Sequence, residues 1–64
     1  MAIQIVELDT DHNTVTTLDG RRYTVAPSDV GTLSAWKPMQ QLAVSWDKLY
    51  NLELDTSVRF VMVE

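Results

Sequence analysis

Short runs in which hydrophobic and polar residues alternate recur along the chain with the two-residue period of a β-strand. Polar or turn-forming residues separate these runs at spacings of about 8–12 residues, which is typical of a small sandwich or barrel. The predicted strands cover residues 3–8, 14–18, 22–25, 41–46, 49–54 and 58–63. Because closure into a barrel removes exposed strand edges, the pattern predicts a small antiparallel barrel of five or six strands.

An Asp19-Gly20 pair separates the second and third predicted strands. This dipeptide is typical of a two-residue hairpin loop of type I′, in which both central residues need a positive φ. The hairpin places Tyr23 and Val25 on one inward face, across from the strand that holds Val15. The pattern leaves Arg21 and Arg22 at the tip of the hairpin.

Two predicted strands break the simple alternation. In the first, the hydrophobic phase slips between Ile5 and Val6, so either both faces are partly covered or a bulge lies there. In the last, Val58, Phe60 and Met62 would share one face and Arg59, Val61 and Val63 the other. Since Val61 and Val63 are also apolar, this strand either is buried on both faces or meets another subunit with its second face. Antiparallel pairing of the two terminal strands would suit either interpretation.

The same alternation predicts the position of Trp46. Leu42, Val44 and Trp46 alternate with polar or small residues, so Trp46 is expected to face the core. Tyr50, Leu52 and Leu54 would likewise share one face of the fifth strand.

The segment between the third and fourth predicted strands lacks the alternation of a strand. Pro27 closes the third strand, and residues 28–35 predict one short helical turn capped by Ser28 or Asp29. Trp36 follows in a connection, where we expect it to be partly exposed, with core filling as the alternative. Tryptophan is enriched among binding hot spots, so Trp36 is a candidate contact for a partner.

The 64 residues predict one domain, residues 1–64, with 45% hydrophobic residues and no cysteine. A barrel of this size has a marginal core and no disulfide to brace it, so tight packing or self-association must stabilise it. No apolar run reaches the roughly 20 residues of a membrane span, and no signal peptide is recognisable. We therefore expect a cytoplasmic protein with no membrane partner.

The formal net charge of −4 comes from five basic and nine acidic residues. This balance disfavours nucleic-acid binding, since a phosphate-binding groove needs clustered positive charge. Only Arg21 and Arg22 are adjacent, and together with Tyr23 they form the weakest of the binding hypotheses. The acidic turn residues instead suggest a regulator that occupies a basic, nucleic-acid-binding surface of a target.

No catalytic, cofactor-binding or metal-binding residue is predicted. Asp9-x-Asp11-x-Asn13 matches the opening of a calcium loop, but Thr14 and Gly20 stand where that loop needs glycine and glutamate, so an Asx-type turn is the preferred interpretation. His12, the one histidine, lies in this turn and is expected to be exposed. A metal site needs more ligands than one histidine without cysteines supplies.

The residues of the hairpin also carry a resemblance. The hairpin and the segment after it resemble small bacterial and phage β-barrel proteins that are largely uncharacterised. The matching residues are Leu18-Asp19-Gly20, Tyr23, Val25, Pro27, Asp29, Trp36 and residues 42–44. The resemblance covers residues 14–46 and implies a Src-homology-3-like barrel, but no activity. Such sequences usually have a Gly-Asp turn before the fourth strand, where this chain has Met39-Gln40-Gln41. A 64-residue chain also leaves no room for the helix and long loops of an oligonucleotide-binding barrel.

These observations predict an all-β, Src-homology-3-like barrel that acts as a non-enzymatic protein-interaction module and self-associates. The expected contacts use the apolar residues outside the core. The candidate partner-binding residues are Trp36, Met39, Val61 and Val63. The acidic regulator is the alternative function.

Overall fold

The computed structural model describes residues 2–64, which form a closed barrel of six antiparallel strands in the order β1-β2-β3-β6-β5-β4. The predicted all-β fold, with six strands and one short helical segment, is confirmed. β1 and β6 lie on opposite sides of this barrel and do not pair, so the terminal strands are not neighbours. The strands are β1 (Ala2–Asp9), β2 (Thr14–Thr17), β3 (Arg22–Val25), β4 (Gln41–Val44), β5 (Lys48–Asn51) and β6 (Thr56–Val63).

The antiparallel order gives the barrel two ends. One end, here called the helix end, holds the β1–β2 turn, the β5–β6 turn and the helical segment between β3 and β4. The opposite end, here called the rim, holds the β2–β3 loop, the β4–β5 turn, the first residues of β1 and the last residues of β6.

The core is built from the alternating inward residues that the hydrophobic pattern indicates. Tyr23 and Val25 point inward, and Tyr23 lies opposite Val15, as predicted. The Tyr23 ring packs edge-on against Phe60, with centroids 5.1 Å apart, a favourable arrangement for two aromatic rings. The buried cluster consists of Ile5, Val15, Tyr23, Val25, Leu33, Trp36, Leu42, Leu49 and Val58.

β-Bulges explain both breaks in the alternation. In β1 the partners change from Ile5–Thr17 to Glu7–Thr16, so Val6 is an extra residue and the bulge alternative is confirmed. In β6 the partners change from Val25–Phe60 to Thr24–Met62, so Val61 is extra.

The bulge in β6 corrects the predicted faces of the last strand. A register shift of one residue moves every later side chain to the other face of the sheet. Met62 therefore lies opposite Thr24 on the outer face, and Val63 lies opposite Tyr23, the reverse of the prediction. Because Val61, Met62 and Val63 all remain exposed, burial of this strand on both faces within one barrel is wrong.

The hairpin between β2 and β3 exists, but its loop differs from the predicted type I′ form. Gly20 has a φ of 87°, whereas Asp19 is not among the residues with a positive φ. Gly20 N–H donates to the Thr17 carbonyl, and Thr17 N–H donates to the Arg21 carbonyl. These bonds enclose a three-residue loop that ends in a left-handed glycine, the next most common way to close a hairpin.

Asn51 shortens the predicted fifth strand. Its side chain is buried, and its Oδ1 accepts hydrogen bonds from the N–H groups of Glu53 and Leu54, both at 3.0 Å. These bonds turn the chain after β5, so Leu52 and Leu54 lie in a turn instead of a strand. Leu49 and Asn51 are the buried residues of β5, and Tyr50 points outward.

The helical segment closes one end of the barrel. A 3₁₀ turn at Pro27–Asp29 leads into α1 (Val30–Leu33). Neither Ser28 nor Asp29 caps it with its side chain, contrary to the prediction. Instead, Asp29 Oδ2 accepts a 2.8 Å hydrogen bond from the N–H of Arg59, which ties the segment to β6. Leu33 and Trp36 then fill the core at this end.

Candidate interaction surface

Exposed hydrophobic side chains concentrate at the rim. Trp46 is the extreme case, because it lies in the β4–β5 turn with 95% of its surface exposed. Among the described residues, those that share this end are Leu18, Val44, Trp46, Val61, Met62 and Val63, here called the apolar rim. The other exposed large hydrophobic residues lie elsewhere on the barrel: Val6, Met39, Tyr50, Leu52 and Leu54.

β6 is longer than the strand beside it. β5 pairs with β6 only as far as Arg59, and one further bond runs from the Phe60 N–H to the Asp47 carbonyl at 2.9 Å. Residues 61–63 therefore extend past β5, with β3 on one side and no strand of the described chain on the other. An unpaired strand edge of this kind is a template for pairing with another strand.

The β5–β6 register brings Trp46 to this open edge. Lys48 lies opposite Arg59, and the bond from Phe60 to Asp47 continues the same alignment. The next position along that alignment places Trp46 level with Val61. The chain then leaves the sheet through the β4–β5 turn, and the Trp46 side chain, which is 95% exposed, does not cover the edge.

Two open depressions lie beside the rim, because β1 and the β2–β3 loop diverge. β2 pairs with β1 only from Ile5 onward, and the Leu18 N–H makes one last bond to the Gln4 carbonyl. One depression has a volume of about 400 Å³ and the other about 250 Å³. Both are lined by Ala2, Ile3 and Asp19. They extend the accessible apolar surface from Leu18 to Val44.

The structure brings together two of the four candidate partner-binding residues. Val61 and Val63 lie on the overhanging part of β6. Met39 is 73% exposed, but its N–H bonds to the Ile5 carbonyl of β1, on the other side of the barrel. The predicted exposure of Trp36 is wrong, since only 4% of its surface is accessible and its Nε1–H donates to Thr56 Oγ1 at 2.9 Å.

Trp46 is the residue that sequence reasoning misplaced. The alternation of Leu42, Val44 and Trp46 predicted a core position, but β4 ends at Val44. The signal for a turn in the sequence is the polar Asp47-Lys48 pair that follows Trp46. The Ser45 N–H bonds to the Lys48 carbonyl, so the turn begins two residues earlier and carries Trp46 at its tip.

Charges at the rim are locally balanced. Arg21 Nε lies 3.5 Å from Asp19 Oδ2, and Arg59 Nε lies 3.9 Å from Asp47 Oδ2. The buried Thr17 hydroxyl donates to Asp19 Oδ1 at 2.5 Å, and this hydrogen bond is the main reason that the pKa of Asp19 is lowered. The carboxylate is thereby kept ionised at the base of the hairpin loop.

Acidic groups concentrate at the helix end. Asp9 is the last residue of β1 and Asp11 lies in the β1–β2 turn that follows, while Glu53 and Asp55 lie in the β5–β6 turn. Asp9 Oδ1 accepts the N–H groups of Asp11 and His12, so the predicted Asx-type turn is confirmed.

His12 is exposed, as expected, and pairs with Asp9. Its Nδ1 lies 2.8 Å from Asp9 Oδ2 and donates, because an ionised carboxylate has no proton to give. This hydrogen bond raises the pKa of His12 and lowers that of Asp9. Within residues 2–64, no cluster of three or more His, Asp or Glu side chains is placed to hold a metal ion.

Comparison with known proteins found no matching family model, no matching curated protein and no matching solved structure. The resemblance of residues 14–46 to small bacterial and phage barrels, and the Src-homology-3-like class that it implies, stay predictions. Within the described residues, no helix has the length and apolar content needed to cross a membrane.

Proposed function

We propose that this protein is a non-enzymatic protein-interaction module that associates with copies of itself through the apolar rim. The observation that carries the proposal is the fully exposed Trp46 beside the apolar, unpaired end of β6. An isolated exposed hydrophobic residue is ordinary, but a group of them around one end of a small barrel is typical of an interaction surface. Tryptophan contributes strongly to such surfaces because its large ring is removed from water on binding.

The small size of the barrel supports self-association. The core cluster contains nine of the described residues, which gives limited stability, and the sequence has no cysteine to form a disulfide. Association that covers the rim would remove further apolar surface from water, and binding to the folded state stabilises that state by mass action.

Sedimentation velocity of the unmodified chain and of two variants tests this proposal. Trp46→Ser removes the central apolar group of the rim, and Leu52→Ser removes an exposed leucine at the helix end as the matched control. We expect the unmodified chain and Leu52→Ser to form the same oligomer at the same protein concentration. Trp46→Ser should need at least a tenfold higher protein concentration to form that oligomer. Equal association of all three chains would overturn the assignment to the rim.

A second candidate function rests on the charge distribution. Asp9, Asp11, Glu53 and Asp55 collect at the helix end, which supports an acidic regulator that occupies a basic, nucleic-acid-binding surface. Titration of the labelled protein with a short polylysine peptide, followed by NMR, should move amide signals of the two acidic turns. The absence of shifts there at low salt would contradict this function.

A further inference from the structure

A projecting tryptophan and an open depression lie side by side at the rim. Val44 lines the smaller of the two depressions, and Trp46 follows it by two residues, in the β4–β5 turn. Because 95% of the Trp46 surface is exposed, the ring makes almost no contact with its own barrel. Its Nε1–H donates to none of the described residues, whereas that of Trp36 donates to Thr56. Trp46 therefore offers a large ring and one hydrogen-bond donor to whatever covers the rim.

The smaller depression carries the groups that recognise an indole ring. Ile3, Tyr23 and Val44 give it apolar walls. The Asp19 carboxylate and the Arg21 guanidinium line the same depression. A carboxylate accepts the indole N–H, and a guanidinium stacks on the face of an aromatic ring. The depression is thus complementary to tryptophan in its walls, in its acceptor and in its cation.

The two charged groups contact each other and still have binding capacity. Asp19 Oδ1 accepts hydrogen bonds from the Thr17 hydroxyl and from the Arg21 N–H, the second at 3.3 Å. Asp19 Oδ2 lies 3.5 Å from Arg21 Nε and receives no hydrogen bond from the described residues. An ionised carboxylate has about four acceptor positions, and a guanidinium has five donors. Both side chains are partly exposed, so a ring that enters the depression can reach them.

We propose that two copies of this chain associate about a twofold axis at the rim, with Trp46 of each copy seated in the smaller depression of the other. The proposal rests on the proposed function and specifies how the two rims fit together. The seated indole lies against Ile3 and Val44. Its Nε1–H donates to Asp19 Oδ2, and the Arg21 guanidinium stacks on its face.

The occupant of the depression is a second copy because this chain carries both halves of the contact at one end. In a twofold interface each copy presents the same surface, so a projecting group and its receptor must lie close together on one molecule. Trp46 and the wall residue Val44 are two positions apart. A ring and a depression at opposite ends of the barrel would instead build an open filament. The exchange therefore closes at two copies.

The area that the exchange covers suits a dimer of small barrels. A standard interface covers about 800 Å² on each partner, which is roughly a fifth of the 4140 Å² surface of this barrel. A buried tryptophan removes about 150–250 Å² from water, and each copy contributes one ring and one depression. Leu18 and residues 61–63 are exposed at the same end and add to the contact.

A charge placed in the depression tests the exchange. Ala2 is exposed at the start of β1 and lines the depression, so Ala2→Glu adds a second carboxylate beside Asp19 without altering the core. The ring then enters only if two like charges are removed from water, which is costly. Ala35→Glu is the matched control, because Ala35 is exposed just after α1 at the helix end. Circular dichroism of each dilute variant verifies that the barrel is folded.

Sedimentation velocity compares the unmodified chain, Trp46→Ser, Ala2→Glu and Ala35→Glu. We expect Ala2→Glu, like Trp46→Ser, to need at least a tenfold higher protein concentration to dimerise, and Ala35→Glu to match the unmodified chain. An equimolar mixture of Trp46→Ser and Ala2→Glu restores one intact contact, which is the ring of the second variant in the depression of the first. The mixture should therefore dimerise at a protein concentration at least threefold lower than either variant alone.

The outcomes separate the exchange from the proposed function. If Ala2→Glu dimerises like the unmodified chain, or if the mixture dimerises no better than its components, the exchange is overturned and self-association through the rim stands. A monomer at all concentrations would overturn both. An oligomer larger than a dimer would overturn the closed twofold arrangement.

Discussion

The two tryptophans should respond in opposite ways to the same substitution. Trp36 is 4% exposed and its Nε1–H bonds to Thr56, whereas Trp46 is 95% exposed in a turn. A barrel of this size has a free energy of unfolding of about 3–10 kcal/mol, at roughly 0.05–0.15 kcal/mol per residue. Removal of a buried tryptophan to alanine costs about 3–5 kcal/mol, which is enough to unfold much of the population. Phenylalanine is therefore the informative replacement at both positions.

Trp36→Phe loses one hydrogen bond, with a net contribution of about 0.5–1.5 kcal/mol, and leaves a small gap beside Leu33 and the rest of the core. We expect it to lower the free energy of unfolding by about 1–3 kcal/mol. Trp46→Phe should change it by less than about 0.5 kcal/mol, as is usual for an exposed site. Urea unfolding followed by far-ultraviolet circular dichroism measures both variants.

The protein concentration matters in this comparison. The measurement is made on a dilute sample, because association through Trp46 would add to the apparent stability at high concentration. A loss for Trp46→Phe as large as that for Trp36→Phe in the dilute sample would refute the assignment of one tryptophan to the core and the other to the surface.

The remaining predictions concern the turns. The NMR titration midpoint of His12 should lie above its usual value of 6.5 and return toward it in Asp9→Asn; equal midpoints would contradict the pair. The raised pKa of His12 stabilises the fold below pH 6.5, and the lowered pKa of Asp9 stabilises it above pH 3.8. His12→Gln should therefore lower the free energy of unfolding most between these two pH values. The loss should shrink as the pH rises through the folded pKa of His12. Met39 has a φ of 76°, so Met39→Gly should raise the free energy of unfolding in urea by about 0.5–1 kcal/mol, and a decrease would argue against strain there. Asn51→Ala removes three hydrogen bonds and should lower that free energy by about 2–3 kcal/mol, whereas a change below about 0.5 kcal/mol would show that this side chain does not hold the β5–β6 turn.

Much of the barrel follows from local pattern. The alternation around Tyr23 and Val25 predicts both the strand and its buried face, because a half-buried strand must alternate. The slip between Ile5 and Val6 indicates a bulge because one extra residue is the simplest way to restore an inward position for Leu8.

Errors arose where a nonlocal contact decides the structure. Nothing in residues 58–63 marks Val61 as the bulged residue, since the shift is defined by the partner strand β3. The end of β5 depends on Asn51, whose Oδ1 accepts from the N–H groups of Glu53 and Leu54 and whose Nδ2 donates to Gln40 Oε1, in a distant part of the chain. A regular alternation of hydrophobic residues continues through such points in the sequence although the strand does not.

The sequence pattern predicted only part of the candidate surface. The excess of apolar residues in the last strand pointed to Val61 and Val63, because a strand with one wet face should alternate with polar residues. The role of Trp46 depends on where the β4–β5 turn begins, and the burial of Trp36 depends on the helical segment that closes the barrel. Both are properties of the assembled fold.

Sedimentation equilibrium of the unmodified chain, from micromolar to millimolar concentration, tests whether this protein self-associates through the apolar rim. One chain has a mass of 7.3 kDa. We expect the weight-average mass to rise above that value as the concentration increases, because association removes the apolar rim from water. A mass that remains at that of one chain across the whole range would contradict self-association through the rim.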